Sequence, residues 1–207
     1  MDTGLVATTV HGRYLVAPGR DDLLLFAFHG YGENAERHIA DVRRINGIED
    51  WTVVAVQALH PFYNLKTQEV IASWMTRLDR EEAIADNVAY IRLVRENFPR
   101  ATKVVFEGFS QGAAMAYRAA AGLSAHGVIA LGGDVPPDVI EGEAHLPPVV
   151  LGRGMTDEWY SEEKLKKDLR YLESITAVTT CVYDGGHEWT EEFRDAASRF
   201  LRMIAGG

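Results

Sequence analysis

Lys103-Val104-Val105-Phe106-Glu107-Gly108-Phe109-Ser110-Gln111-Gly112-Ala113-Ala114-Met115-Ala116-Tyr117-Arg118 reads as a largely apolar strand, a tight turn and an alanine-rich helix, in that order. The centre, Gly108-Phe109-Ser110-Gln111-Gly112, has the spacing G-x-S-x-G, and the strand and helix around it turn a weak five-residue pattern into a nucleophile elbow. A chain that reverses from strand to helix within about two residues forces the serine into strained dihedrals and pushes its hydroxyl out of the turn. Glycines on either side let strand and helix pass without a Cβ clash, and Ala113 and Ala114 allow the same close approach. The helix N-terminus then aims backbone N–H groups at the serine, where they can stabilise negative charge.

Outward from the elbow, strand-like and helix-like runs alternate. Leu23 to Phe28 is continuously apolar, as expected of a strand covered on both faces, and it runs into His29-Gly30-Tyr31-Gly32-Glu33-Asn34. A helix is expected from about Ala35 to Arg44, and a buried strand from Trp51 to Leu59. The long connection from His60 to Arg77 carries Phe62, Tyr63 and Trp74 and reads as a pocket wall. Ile84, Val88, Ile91, Val94 and Phe98 form the stripe of an amphipathic helix ending before Pro99. Strands are expected at 128–131, 149–152 and 177–183, with a Pro-rich loop over 134–148, a charged helix over 161–173 and a closing helix through Phe193, Ala197, Phe200 and Ile204. At the start, 5–10 and 13–17 flank His11-Gly12 and suggest an antiparallel hairpin at a sheet edge. The alternation predicts an α/β fold with a mostly parallel central sheet and helices on both faces. Functional loops in such sheets gather at the carboxyl ends of the strands, so Ser110, Asp157, His187 and the His29–Gly32 turn are expected on one rim.

Composition narrows the partners. The 207 residues, 47% hydrophobic and 25% charged, suit one domain over 1–207 with no room for a large cap. A formal charge of −9 argues against nucleic acid or an anionic membrane surface. Cys181 has no internal partner and fits a reducing compartment. The N-terminus lacks the basic start and apolar run of a signal peptide, and no run approaches the roughly 18 apolar residues of a membrane span, so a cytoplasmic protein is expected. Oligomeric state is left open.

A serine hydroxyl is a poor nucleophile until a base takes its proton, and that base needs an orienting carboxylate. Among seven histidines, His187 follows the last strand in an exposed glycine turn, and the order Ser110, Asp157, His187 matches a serine triad on such a sheet. His11, His38, His126 and His145 read as ordinary histidines, and His60 stays ambiguous. Asp134 is the alternative to Asp157, while Asp184 is expected to serve its own turn. The backbone N–H groups of Tyr31 and Gln111 are the candidate oxyanion donors. Phe62, Tyr63, Trp74, Trp159 and Trp189 are candidate substrate-binding residues. Gly30 to Ala35 also satisfies G-x-G-x-x-A, but Gln57 and Ala58 stand where a ribose-binding acid belongs, so no nucleotide cofactor is expected. Neither H-E-x-x-H nor paired Cys/His spacing suggests a metal.

On Phe28-His29-Gly30-Tyr31-Gly32-Glu33-Asn34, Gly108 to Gly112, Asp157 and Gly185-Gly186-His187-Glu188, the chain resembles the α/β-hydrolase superfamily, in particular the phospholipase/carboxylesterase group that includes the acyl-protein thioesterases. The resemblance spans Leu23 to Ile204 and implies a cofactor-free serine hydrolase acting on small-molecule esters or thioesters, with Ser110 as nucleophile, His187 as base then acid, and Asp157 as its orienter. Two stretches depart from the group's pattern. The acid loop, 152–160, lacks its His-Gly start and later proline, and Ser73-Trp74-Met75 lacks a following aspartate. A non-enzymatic binding module on the same scaffold, or a serine peptidase or amidase, are the alternatives.

Overall fold

Apolar alternation along one strand sets the layers of the molecule. The computed structural model describes residues 2–206. In β2 (Arg20–Phe28), Leu24, Phe26 and Phe28 enter one hydrophobic cluster while Leu23, Leu25 and Ala27 enter another on the opposite face. The continuous apolar run is therefore two stripes, each covered by helices.

The sheet has seven strands in the order β1-β3-β2-β6-β7-β8-β9. Its members besides β2 are β1 (Tyr14–Ala17), β3 (Trp51–Val56), β6 (Lys103–Phe109), β7 (Gly127–Leu131), β8 (Val149–Gly154) and β9 (Val178–Tyr183). All neighbours pair in parallel except β1, which runs antiparallel to β3 at the edge. Helices α1 (Ala35–Val42) and α6 (Glu191–Gly206) cover one face. The other is covered by α2 (Arg80–Glu96), α3 (Gln111–Gly122), α4 (Pro137–Glu141) and α5 (Glu162–Ile175). The expected α/β architecture is thus the observed one, with helix on both faces of a mostly parallel sheet.

Two expectations need correction. No strand forms over 5–10, and β1 finds its partner in β3 rather than in a preceding hairpin arm. Leu5, Val6 and Val10 are exposed, so a ladder there would bury no apolar face, and a hairpin without one is marginal. The 60–77 connection is not an open loop but holds an antiparallel pair, β4 (His60–Tyr63) and β5 (Val70–Ser73). An isolated bridge between Glu33 and Ala72 docks this hairpin on the turn after β2.

The join between β6 and α3 is a tight one. Ser110 sits at φ 55° and ψ −118°, in the left-handed half of the map that a side chain disfavours. A Cβ on Gly108 would lie 2.1 Å from the Gly112 carbonyl oxygen, and one on Gly112 would lie 1.9 Å from that of Phe28. Both obstructions are backbone and cannot swing aside. Gly112→Ala is therefore expected to cost about 3 kcal/mol or more, the upper range of overpacking, measured as a loss in urea or thermal unfolding.

Candidate active site

Three loops at the carboxyl ends of β6, β8 and β9 converge around Ser110. The Ser110 amide donates to Leu131 O (2.8 Å), which ties the elbow to the end of β7. Its hydroxyl does not cap α3 and so is not spent on the helix. Just past β7, a Cβ on Gly133 would lie 2.4 Å from Ser110 O, while one on Gly132 would lie 2.9 Å from the His187 ring. The elbow and the imidazole thus flank consecutive glycines. Phe109, the residue before the serine, packs against His187 with ring centroids 4.8 Å apart and planes tilted by 37°.

His187 Nδ1 lies 2.8 Å from Asp157 Oδ2. Asp157 is buried, and its other oxygen accepts the amides of Trp159 (2.9 Å) and Tyr160 (2.8 Å). With Oδ1 occupied by two donors, Oδ2 is left to the imidazole. A carboxylate there fixes the proton on Nδ1 and leaves Nε2 as a lone-pair acceptor. Among the described residues no hydrogen bond joins that nitrogen to the Ser110 hydroxyl, and such bonds commonly tighten only when substrate arrives. The acid and histidine loops are bound to each other. Met155 N donates to Tyr183 O (2.8 Å), and both the amide and the hydroxyl of Thr156 reach Gly185 O (2.9 and 2.8 Å). Asp134, the alternative acid, is exposed and lies 3.9 Å from Lys164. Asp184 is exposed too.

The turn after β2 lies against the elbow: a Cβ on Gly30 would meet Phe109 Cδ1 at 3.2 Å. Within it, Gly30 N donates to Glu33 Oε2 (2.8 Å), Gly32 N to Ala72 O (3.0 Å) and Glu33 N to Gly30 O (3.3 Å). The Tyr31 amide has no partner among the described residues, and neither has that of Gln111 at the first position of α3. His29 beneath them is buried and neutral in ordinary conditions. Burial lowers its pKa to about 4, and its ring donates from Nδ1 to Gly30 O (2.7 Å) while Nε2 accepts the Ala58 amide (3.1 Å).

The five aromatic candidates separate. Phe62 lies 5.8 Å from the Tyr31 ring, and both are exposed beside the turn, with Tyr63 next along the hairpin. Trp159, 76% exposed, stands on the acid loop at the other side. Trp74 and Trp189 instead pack inward, the first fully buried and the second half-buried. Trp74 is fully buried, stacks edge-on to Phe28 and donates its indole N–H to His29 O (2.8 Å). Trp189 packs on Phe193 and His38 under the Arg194 guanidinium.

Sequence reasoning missed two features. The Gln111 side chain accepts from Trp74 N (2.8 Å) and donates to Met75 O (2.8 Å), so it anchors the 73–75 segment beside Ser110. His38, read as ordinary, bonds Glu107 at 2.8 Å, with both side chains buried under the elbow. For His38, burial pushes the pKa down, but the Glu107 charge and hydrogen bond outweigh it and leave the pKa raised. Burial raises that of Glu107, against the pull of His38. Spacing offered no signal for a pair 69 residues apart in sequence.

Residues 18–205 match the family model described as phospholipase/carboxylesterase. The chain belongs to that family. Its fold is that of the α/β-hydrolase esterases, and it is an enzyme of the carboxylesterase type. Among solved structures it is similar to esterase PE8, at 24% identity over 94% of this chain and 100% of that one with a TM-score of 0.79. A phospholipase/carboxylesterase from Dyadobacter fermentans DSM 18053 has 18% identity, coverage of 95% and 99%, and a TM-score of 0.72. Acyl-protein thioesterase 2 of Zea mays has 16% identity, coverage of 94% and 99%, and a TM-score of 0.73. Comparison with curated protein sequences finds no match. Among the described residues no helix is long and apolar enough to cross a membrane.

His38→Ala would leave the Glu107 carboxyl buried without its partner and is expected to cost about 3–5 kcal/mol. Replacing both residues together with leucine should recover most of that loss in denaturant titrations, because neither position then buries an ionisable group.

Proposed function

We propose that the enzyme hydrolyses small carboxylic esters or thioesters through an acyl-serine intermediate, with Ser110 as nucleophile, His187 as base then acid, and Asp157 as orienter of the imidazole. The observation that carries the reading is the 2.8 Å contact of Asp157 Oδ2 with His187 Nδ1, beside a serine held at φ 55° with its hydroxyl uncommitted to the helix. His187 Nε2 takes the Ser110 proton as Oγ bonds to the acyl carbon. The carbonyl electrons move to oxygen, where the Tyr31 and Gln111 amides receive the negative charge. As the tetrahedral species collapses, the bond to the leaving oxygen or sulfur breaks and the Nε2 proton goes to it. Water then attacks the acyl-serine by the same route and frees the acid.

Phe62 and Tyr63 on the hairpin and Trp159 on the acid loop are exposed, which favours small or surface-presented acyl groups over deeply enclosed ones. The single half-buried Cys181 supports a reducing, cytoplasmic setting.

Ser110→Ala is expected to lower turnover of p-nitrophenyl butyrate by about 10⁴-fold or more, with the unfolding midpoint little changed. A fluorophosphonate probe should label the parent protein at Ser110 and leave the variant unlabelled, whereas a binding module on this scaffold would label in neither form. Equal turnover of matched amide and ester substrates would point instead to a peptidase or amidase. Trp159→Ala and Phe62→Ala should each raise KM several-fold, roughly the value of about 1–2 kcal/mol of lost apolar contact, with kcat nearly kept.

A further inference from the structure

Tyr160 closes the acid loop and is held at three points. Its backbone N–H donates to Asp157 Oδ1 (2.8 Å), its carbonyl accepts from Arg153 Nε (2.7 Å), and its hydroxyl donates to Asp168 Oδ2 (2.9 Å). Tyr160 and Asp168 are each 1% exposed. Asp168 belongs to α5, and the oxygen that binds Tyr160 also accepts the amide of Val135 (3.2 Å). One carboxyl therefore joins the acid loop to the loop after β7, whose Gly132 lies against His187 and Asp157. Arg153 secures the near side, since its Nη2 also reaches Met155 O (3.3 Å).

Such a group is expensive as mere filling. Burial holds the Asp168 carboxyl up at about 6, and it keeps the Tyr160 phenol protonated as a donor. The charges of Asp134 after β7 and Lys167 on α5 also act on that carboxyl, and it in turn acts on the buried Tyr117 phenol of α3. An apolar pair of the same volume would avoid the desolvation cost of burying a carboxyl and a phenol. What the polar pair adds is direction, because a hydrogen bond fixes an angle that apolar contact leaves free.

We propose that Tyr160 is a positioning residue for the reaction: its hydroxyl seated on Asp168, and its carbonyl clasped by Arg153, fix the amide that turns Asp157 toward His187. The proposal rests on the triad reading above. Asp157 spends Oδ1 on the amides of Trp159 and Tyr160, so the carboxylate plane is set by where residue 160 stands. If that residue drifts, the Oδ2 contact with the imidazole lengthens, and the step that suffers is proton transfer rather than binding.

The test compares Tyr160→Phe, Asp168→Ala and Asp168→Asn in the full chain, with rates expressed per site labelled to completion by a fluorophosphonate, so that unfolded protein does not count. Tyr160→Phe and Asp168→Ala are expected to lower kcat per labelled site by roughly tenfold or more with KM within about twofold, the signature of a displaced catalytic group. Asp168→Asn keeps an acceptor oxygen for Tyr160 and Val135 and should stay within about threefold of the parent. In an Asp157→Ala background, Tyr160→Phe should add almost nothing, because its effect passes through the carboxylate. Unchanged kcat per site in Tyr160→Phe, or a full additional loss in the Asp157→Ala background, would overturn the positioning role while leaving the triad intact. Asp157→Ala turning over at the parent rate would instead remove the triad reading, and this proposal with it.

Discussion

The backbone of one residue constrains everything around it. Ser110 at φ 55° and ψ −118° is held in a region that costs of order 1–3 kcal/mol, and the surroundings must hold it there. They do so by leaving no space for relaxation. Gly108 and Gly112 let β6 and α3 touch at backbone distance, and Gly112 also lets the start of α3 rest on the end of β2. The Ser110 amide is fixed on Leu131, so the elbow is tied to the strands on both of its sides. Any shift of the Ser110 backbone would have to move β2, β6, α3 and β7 together.

From that point the rest of the rim is arranged by hydrogen bonds between loops rather than by apolar packing. The turn after β2 is tied to β5 through Gly32 and Ala72. The 73–75 segment is tied to α3 through Gln111, and Trp74 passes the constraint on to His29. On the other side, the acid loop and the histidine loop share the Thr156 and Met155 contacts. Loops carry few buried apolar groups, so polar ties are the means by which they keep a fixed geometry. The cost is a set of buried ionisable groups under the site, His38 with Glu107 and Asp168 with Tyr160, each of which loses a buried hydrogen bond if its partner is removed.

What was legible in the sequence follows from this division. The sheet and its helices came from period and punctuation, because a strand buried on both faces and a helix with one apolar stripe each leave a local signature. Ser110, Asp157 and His187 could be proposed as partners from sequence because each follows a strand, and chain order on a parallel sheet limits where such residues can meet. The aromatic residues were not. Trp74 and Phe62 both lie in the segment after β3, yet one is fully buried beneath the turn and the other stands exposed beside it. That outcome depends on how the β4–β5 hairpin folds back over the turn, which no local pattern encodes. The segment over 5–10 failed for the opposite reason: its apolar residues suit a strand, but the fold offers them no face to cover.

The two stretches that depart from the family's wording are the places where this chain supplies its own polar ties. Ser73-Trp74-Met75 lacks a following aspartate, and here the Gln111 side chain takes the amide of 74 and the carbonyl of 75. The acid loop lacks a proline to stiffen it, and here Arg153 spans the loop from Met155 O to Tyr160 O. Proline restricts a loop in the folded and unfolded chain alike, whereas a guanidinium acts only once the loop has closed around it. A loop stiffened in the second way depends on every one of its contacts at once. The shape of this part of the site is therefore coupled to residues such as Asp168 that lie outside it, and substitutions in α5 can reach the chemistry without touching a substrate.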